Sequence, residues 1–229
     1  MKKKIFGLIL VMVMAVSLLA SCGGGDSKEA ADDKIPCRIG YWGGTCEAPI
    51  YIAKEKGYFE ECGIDPELFV ITSDTASLMS KGELDCYELT PDQFMPIKNG
   101  AEVKIIDSLH TGCIQGAASK ESGIKSVADL EGKKVAINNQ GEITQILVSS
   151  EMVKLGKDPK KVEWVNYPNA EKQLALEKGE IDAFVAYDPF AEVAANDGHV
   201  KFFSNTFDKG LNEVLCCFIG LNTKKMEEN

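Results

Sequence analysis

The segment Lys81-Gly82-Glu83-Leu84-Asp85 recurs in the second half of the chain as Lys178-Gly179-Glu180-Ile181-Asp182. A related turn precedes each copy, Gly63-Ile64-Asp65-Pro66 in the first half and Gly156-Lys157-Asp158-Pro159 in the second. Between turn and copy, each half shows the pattern of a strand followed by a helix, and each copy leads into another strand. This ordered repeat predicts two similar α/β lobes; one long doubly wound sheet is the alternative.

Strands alternate with helices along both halves, and this pattern indicates parallel pairing in a layered α/β architecture. In such sheets the ligand lies beyond the carboxyl ends of the strands, where helix N-termini offer unpaired N–H groups. Helix capping alone would also explain small polar loops at these positions, but their presence in both halves favours a shared cleft. Four loops have this composition, at residues 42–46, 72–75, 138–142 and 166–169.

The N-terminus has the pattern of an export signal, with lysines at positions 2 to 4 followed by an uncharged, mostly apolar run at 5–20. Leu19-Ala20-Ser21-Cys22 then resembles the lipobox of bacterial lipoproteins, which are cleaved before the cysteine and acylated on it. We therefore predict a signal peptide at 1–21, lipidation of Cys22 and a flexible tether at 22–35. An ordinary secretion signal or a membrane helix is the alternative.

Composition excludes several other classes of protein. The 229 residues are 45% hydrophobic and 26% charged, which is typical of a globular protein and not of a disordered one. The net charge is −10 and Arg38 is the sole arginine, so no basic stripe for a nucleic acid can form.

Three further stretches, together with the KGELD segment, carry a resemblance to a known family. They are GYWGGTCEAPIYIAKEKGYFEECGIDPEL at 40–68, SVADLEGKKVAI at 126–137 and KGEIDAFVAYDPF at 178–190. In kind and order they resemble ABC-transporter solute-binding proteins of the nitrate, sulfonate, taurine and thiamine-precursor family, from about Ile39 to the C-terminus. The resemblance implies a two-lobed, periplasmic-binding-protein-like fold of type II with a hinge.

The resemblance also implies boundaries and partners. The first lobe is expected to comprise residues 36–117 and 215–229, and the second lobe residues 118–214. A monomer would capture a small solute at the extracytoplasmic face of the cell membrane, held there by its lipid. It would deliver the solute to an ABC permease with its ATPase, without a cofactor. Because similar proteins continue past residue 229 with helices that cover the first lobe, that lobe is expected to be incomplete.

The cysteines after Cys22 are an unusual feature in an exported chain. The chain should cross to the second lobe at His110-Thr111-Gly112-Cys113 and return at Cys216-Cys217, so these thiols are expected to lie close together. Three interpretations stay open: buried small hydrophobes, one disulfide across the hinge, or a site for a soft metal or ligand. His110, Cys113, Cys216 and Cys217 are the candidate metal ligands.

The charged residues expected at the cleft limit the range of possible solutes. Oxyanion sites usually contain arginine, and no lysine or arginine lies in the four cleft loops, whereas acidic and aromatic residues lie near the strand ends. A neutral or cationic solute is favoured, a vitamin-precursor pyrimidine or an amine-like compound above all, with sulfonate or nitrate as the alternative. The candidate binding residues are Trp42, Gly44, Thr45, Cys46, Thr72, Asp74, Tyr87, Glu88, His110, Cys113, Gln140, Gly141, Glu142, Tyr187 and Asp188. For the aromatic members, core packing is the alternative.

An enzyme is the competing class of function. Patterns such as GxSxG, Walker A, GxGxxG and HExxH are absent from the sequence, which predicts no catalytic residue. Leu215-Cys216-Cys217-Phe218 nevertheless resembles, in position, a cysteine-rich segment of eukaryotic thiamine-pyrimidine synthases. A thiol- or metal-dependent pyrimidine-synthase-like enzyme on the same scaffold therefore stays as the alternative.

Overall fold

The computed structural model describes residues 34–71 and 75–228, which form two five-stranded mixed sheets. The predicted signal peptide, Cys22 and nearly all of the predicted tether lie outside the described residues, as do Thr72 and Asp74. In the described part of the chain, no helix is both long and apolar enough to cross a bilayer.

The first sheet has the strand order β2-β1-β3-β10-β4. Strands β2 and β3 pair with β1 in parallel, whereas β10 runs antiparallel to both β3 and β4. β1 begins at Ile35, so the first sheet includes the last residue of the predicted tether. The strands are β1 (Ile35–Tyr41), β2 (Ile64–Val70), β3 (Cys86–Leu89), β4 (Val103–Thr111) and β10 (Leu215–Asn222).

The second sheet repeats this arrangement in the order β7-β6-β8-β5-β9. β7 and β8 pair with β6 in parallel, and β5 runs antiparallel to β8 and β9. The predicted two-lobed α/β architecture is therefore confirmed. The strands are β5 (Ile114–Ala118), β6 (Lys134–Ile137), β7 (Glu163–Asn166), β8 (Ala183–Tyr187) and β9 (Val200–Ser204).

Helices follow the parallel strands in both lobes. The apolar pattern after residue 47 forms two helices because Gly57, with a φ of 76°, interrupts it. The helices are α1 (Ala48–Glu55), α2 (Tyr58–Glu61), α3 (Thr75–Ser80), α4 (Phe94–Lys98), α5 (Ile143–Lys154), α6 (Asn169–Glu177), α7 (Phe190–Asn196) and α8 (Thr223–Glu228).

The last residue of each repeated segment fixes a strand. Asp85 accepts a hydrogen bond from the Arg38 backbone N–H at 2.8 Å, and Asp182 accepts one from the Lys134 N–H at the same distance. Each aspartate backbone N–H returns a bond of 2.9 Å to the carbonyl of the same partner. The repeat therefore joins the start of β3 to β1 and the start of β8 to β6, at the ends of the sheets opposite the carboxyl ends of the parallel strands.

Asp85→Ala is expected to lower the free energy of unfolding by about 1–3 kcal/mol, because it leaves a buried backbone N–H without its acceptor. Urea denaturation would measure the change. Asp65→Ala, which removes an exposed carboxylate from β2, should change the free energy by less than about 0.5 kcal/mol. An equal loss in the two variants would contradict the role given to the repeated aspartate.

The two crossings between the sheets run side by side. Asn205 accepts the backbone N–H groups of Cys113 and Ile114 on its side-chain oxygen, at 2.9 and 2.6 Å. A Cβ on Gly112 would lie 2.7 Å from the Cα of Thr206, so only glycine permits this approach. Because β5 already belongs to the second sheet, the first crossing falls at Gly112 and Cys113, before the boundary predicted at 117.

Buried apolar residues pack on both sheets. In the first lobe Met79, Leu84 and Leu89 belong to one cluster of buried residues. Two further clusters fill the second lobe and the crossings. One contains Ile114 and Val135, and the other contains Phe184. Both lobes therefore have a core of their own among the described residues.

Candidate functional site

A cavity of about 840 Å³ lies where the carboxyl ends of the parallel strands in the two lobes meet, as the alternation of strands and helices predicts. Both lobes line it, so a ligand held there would contact both sheets. The first lobe contributes Trp42, Gly44, Cys46, Glu47, Ile71, Thr75, Tyr87, Glu88, Thr90, Asp92, Gln93, Pro96, Ile97, Ala101 and Val103; the second contributes residues 138–142, residues 166–169 and Tyr187.

Many of the predicted binding residues meet at this cavity. Thr45 and Asp188 lie beside it, where the Thr45 N–H donates to the Asp188 carbonyl oxygen at 3.2 Å and so links the lobes. His110 and Cys113 do not line it, and Thr72 and Asp74 lie outside the described residues. The residues on the lining are Trp42, Gly44, Cys46, Tyr87, Glu88, Gln140, Gly141, Glu142 and Tyr187.

The aromatic residues on the lining differ in their environment. Trp42 is 48% exposed, so its ring has a free face. Tyr87 is 3% exposed, packs in the core of the first lobe, and donates its hydroxyl to Gln93 at 2.6 Å. Tyr87 is therefore a core residue, the alternative given for the aromatic candidates. Burial, with Glu142 nearby, raises the pKa of Tyr187, so its phenol keeps its proton at neutral pH.

Glu47 shapes the first-lobe side of the cavity. Its buried carboxylate accepts the backbone N–H groups of Trp42, Gly43 and Gly44, at 2.7, 2.7 and 2.9 Å. Burial raises the pKa of Glu47, and these three donors oppose that shift. The loop that presents the Trp42 ring to the cavity is therefore held by one acidic side chain.

Lys172 holds the loops on the second-lobe side of the cavity, as Glu47 holds the loop of the first lobe. This completely buried residue of α6 donates from Nζ to the side-chain oxygens of Asn138 and Asn169, at 2.6 and 2.8 Å, and to the Val185 carbonyl at 2.9 Å. Burial lowers its pKa to about 7, an effect that Glu142 opposes. Two amide groups on the cavity lining are thus fixed from behind.

The lining consists of acidic side chains and uncharged ones, with no lysine, arginine or histidine among the described residues that form it. Burial, together with the charge of Cys46, raises the pKa of Glu88 to about 8. Burial also raises the pKa of Glu142. The carboxyl group of Glu88 can therefore carry a proton near neutral pH and donate a hydrogen bond to a ligand.

A group of soft donor atoms adjoins the cavity. The ligand atoms of Cys46, His110, Cys113 and Cys217 all lie within 4.8 Å of one another, and we call these four residues the thiol cluster. Cys216 is next to it, with its sulfur 3.1 Å from that of Cys113. The predicted approach of Cys113 to Cys216 and Cys217 is therefore confirmed, and Cys46 joins them.

Hydrogen bonding within this group gives the thiols different pKa values. Hydrogen bonds from Cys113 and Cys217 move the pKa of the Cys46 thiol far below its usual range. The adjoining Cys46 thiolate raises the pKa of His110 to about 9. Hydrogen bonds to other thiols raise the pKa of both Cys113 and Cys217. A thiolate beside an imidazolium can ligate a soft metal or attack an electrophile.

The candidate residues chosen from the sequence do not include all of the lining. Thr90, Asp92 and Gln93 follow β3, and the choice omitted them. A signal for them existed: aligning the repeated segments places Thr90 opposite Tyr187, which was chosen. The loops at 138–142 and 166–169 were both predicted at the cleft, and both line the cavity.

Comparison with solved structures identifies the fold. The periplasmic aliphatic sulphonate binding protein of Escherichia coli superposes with a TM-score of 0.68 at 19% identity, over 85% of this chain and 67% of that one. The fold is thus that of periplasmic ABC-type substrate-binding proteins, and the cavity occupies the cleft between its two lobes.

Comparison with sequences defines the family. The NMT1/THI5-like family matches residues 45–214, and the chain belongs to it. A binding protein of Brucella abortus is 33% identical over 144 residues, 60% of this chain and 40% of the relative. A thiamine biosynthesis protein of Haemophilus influenzae is 27% identical over 160 residues, 68% and 50%. The chain thus spans half, or less, of the length of these relatives.

Proposed function

We propose that this protein captures a small neutral or cationic heteroaromatic solute, such as a vitamin-precursor pyrimidine, and delivers it to an ABC permease with its ATPase. One observation carries the choice of solute: the described lining combines aromatic rings and protonatable carboxyl groups with no basic side chain. An anion in this cavity would meet Glu88, Asp92 and Glu142 without an opposing charge.

The chemistry of an aminopyrimidine fits these groups. Its flat ring can stack on the exposed face of Trp42, and its ring nitrogens and amino group can pair with carboxyl and amide groups. The helix N-terminus that could attract an anion is the start of α5, and there Glu142 already supplies a carboxyl group at the N-cap. The name of the Haemophilus influenzae relative supports a thiamine-related solute; that of the Escherichia coli protein supports sulfonate as the alternative.

The proposed location is the extracytoplasmic face of the membrane. Cys22 would carry acyl chains, and the following residues would tether one monomer close to its permease. Labelling with a radioactive fatty acid would detect the lipid, and Cys22→Ala should abolish the label. A label that persists in this variant would contradict the predicted anchor.

An enzyme is the second candidate function, because the thiol cluster adjoins the cavity. In that case a pyrimidine would be made or changed at the site. Mass spectrometry of the solute before and after incubation separates the candidates, since a binding protein returns it unchanged.

Calorimetric titration with an aminopyrimidine tests the choice of solute. Binding is expected, and Trp42→Ala and Tyr187→Ala should each weaken it about tenfold or more, since loss of a stacking or flanking ring costs about 1–3 kcal/mol. Tyr58→Ala is the matched control, because Tyr58 is exposed on α2 and does not line the cavity. Binding of methanesulfonate or nitrate without binding of the pyrimidine would overturn the proposal, as would unchanged affinity in both cavity variants.

A further inference from the structure

The thiol cluster draws its four donors from distant parts of the chain. Cys46 lies in the turn after β1, His110 near the end of β4, Cys113 at the crossing and Cys217 in β10. His110 and Cys217 are direct partners in the pairing of β4 with β10. Asn205 fixes the backbone at Cys113. The hinge strands and the cavity loop thus meet at one point.

The hydrogen bonding of the two ring nitrogens of His110 is a second, independent indication of a ligand. Its Nδ1 lies 2.9 Å from the Gly112 carbonyl oxygen, a distance at which Nδ1–H donates to that oxygen. Nε2 is buried and has no hydrogen-bond partner of its own. When Nδ1 holds the proton, the lone pair of Nε2 is free, and this is the usual arrangement of a metal-bound histidine.

We propose that Cys46, His110, Cys113 and Cys217 bind one zinc ion. Three cysteines and one histidine form a donor set that zinc prefers in closed tetrahedral sites. All four ligand atoms already lie within 4.8 Å of one another, so small side-chain movements bring them to bonding distance. When the ion binds, Cys113 and Cys217 lose their thiol protons to solvent, and so does the imidazolium of His110 at Nε2, whereas Cys46 binds as the thiolate that it already is.

Two other uses of these thiols leave observations unexplained. A disulfide between Cys113 and Cys216, whose sulfurs are 3.1 Å apart, would leave Cys46 and Cys217 beside an unpartnered imidazole nitrogen. Packing as small hydrophobes does not account for the approach of His110 to three sulfurs. Zinc satisfies all four groups together.

The zinc site would join the cavity loop to the hinge. Cys46 lines the cavity two residues after Gly44, and the other three ligands belong to the crossing or to strands that adjoin it. A bound ion would hold the first-lobe side of the cavity against the strands about which the lobes move. This inference does not depend on the identity of the solute, because the ligands are the protein's own.

Titration of the reduced, chelator-treated full chain with Co²⁺ tests the site, because thiolate-bound tetrahedral cobalt has an intense charge-transfer absorption. One equivalent should produce this absorption and Zn²⁺ should remove it. Cys46→Ser and Cys217→Ser should each weaken the binding at least about tenfold. Cys62→Ser is the matched control, since Cys62 is exposed and remote from the cluster, and it should bind as the unchanged chain does.

Circular dichroism of each variant establishes that it is folded, and Cys113→Ser provides a further test if one of them is not. The proposal is overturned if cobalt binds without charge-transfer absorption, or if folded Cys46→Ser and Cys217→Ser variants bind it unchanged. A Cys113–Cys216 disulfide that persists under reducing conditions, detected by mass spectrometry, would also overturn it. Solute binding, measured with chelator present, reports separately on the proposed function.

Discussion

Glu47→Ala is expected to lower the free energy of unfolding by about 3–5 kcal/mol. Each of the three hydrogen bonds to the charged group contributes about 1.5–3 kcal/mol, and the cost of burying the carboxylate, which raises its pKa, offsets part of that sum. The carboxylate accepts three backbone N–H groups from the loop at residues 42–44. The side chain is 1% exposed, so alanine would leave a void as well as unpaired donors. Few single substitutions elsewhere in the first lobe should cost as much.

Urea denaturation of Glu47→Ala measures this loss, with Glu55→Ala as its control. Glu55 is exposed at the end of α1, and its removal should change the stability by less than about 0.5 kcal/mol. Glu47→Gln should fall between the two, because an amide keeps one acceptor oxygen but turns an NH₂ group towards the loop donors. A Glu47→Ala protein as stable as Glu55→Ala would show that the loop does not depend on the carboxylate.

The repeat made the two sheets predictable because its residues have a local physical purpose. The aspartate at the end of each copy pairs with a parallel strand of its sheet, β1 or β6, so each copy marks the start of the strand that joins it, β3 or β8. The glycine in each copy, Gly82 or Gly179, has a positive φ value, so the turns too are encoded locally. The fold class and the two-lobed division follow from such short-range signals.

The site was less predictable, because it depends on contacts between residues far apart in the chain. Side-by-side crossings brought Cys113 near Cys216 and Cys217, but no spacing in the sequence indicated that Cys46 would join them. Lys172 shows the same limit. A lysine one turn into a helix is ordinarily assigned to solvent, and only the fold shows the three oxygens that surround its Nζ.

Lys172→Met is expected to lower the free energy of unfolding by about 2–4 kcal/mol, with a loss that grows as the pH rises from 7 to 9. Methionine fills a similar volume but leaves the oxygens of Asn138, Asn169 and Val185 without their common donor. Two of those residues line the cavity, so solute affinity should fall in the same variant.

The pH dependence follows from the lowered pKa of Lys172, about 7 in the folded protein against the usual 10.5 of a lysine. Between these values the unfolded chain binds a proton that the folded chain does not, so stability rises with pH by as much as about 1.4 kcal/mol per unit. Below pH 7 both states are protonated, and the contribution of Lys172 no longer changes.

Glu142, which faces Lys172 and has a raised pKa, titrates in the variant as well, and the thiols and Tyr187 do so in both proteins. Loss of Lys172 also raises the pKa of Glu142 further, and this lowers the stability of the variant as the pH rises, so both effects widen the difference between the two proteins. Urea denaturation at pH 7, 8 and 9 measures it, with the exposed Lys178→Met as the control that should show no such widening. A difference that stays constant across this range would mean that Lys172 keeps its proton in the folded state.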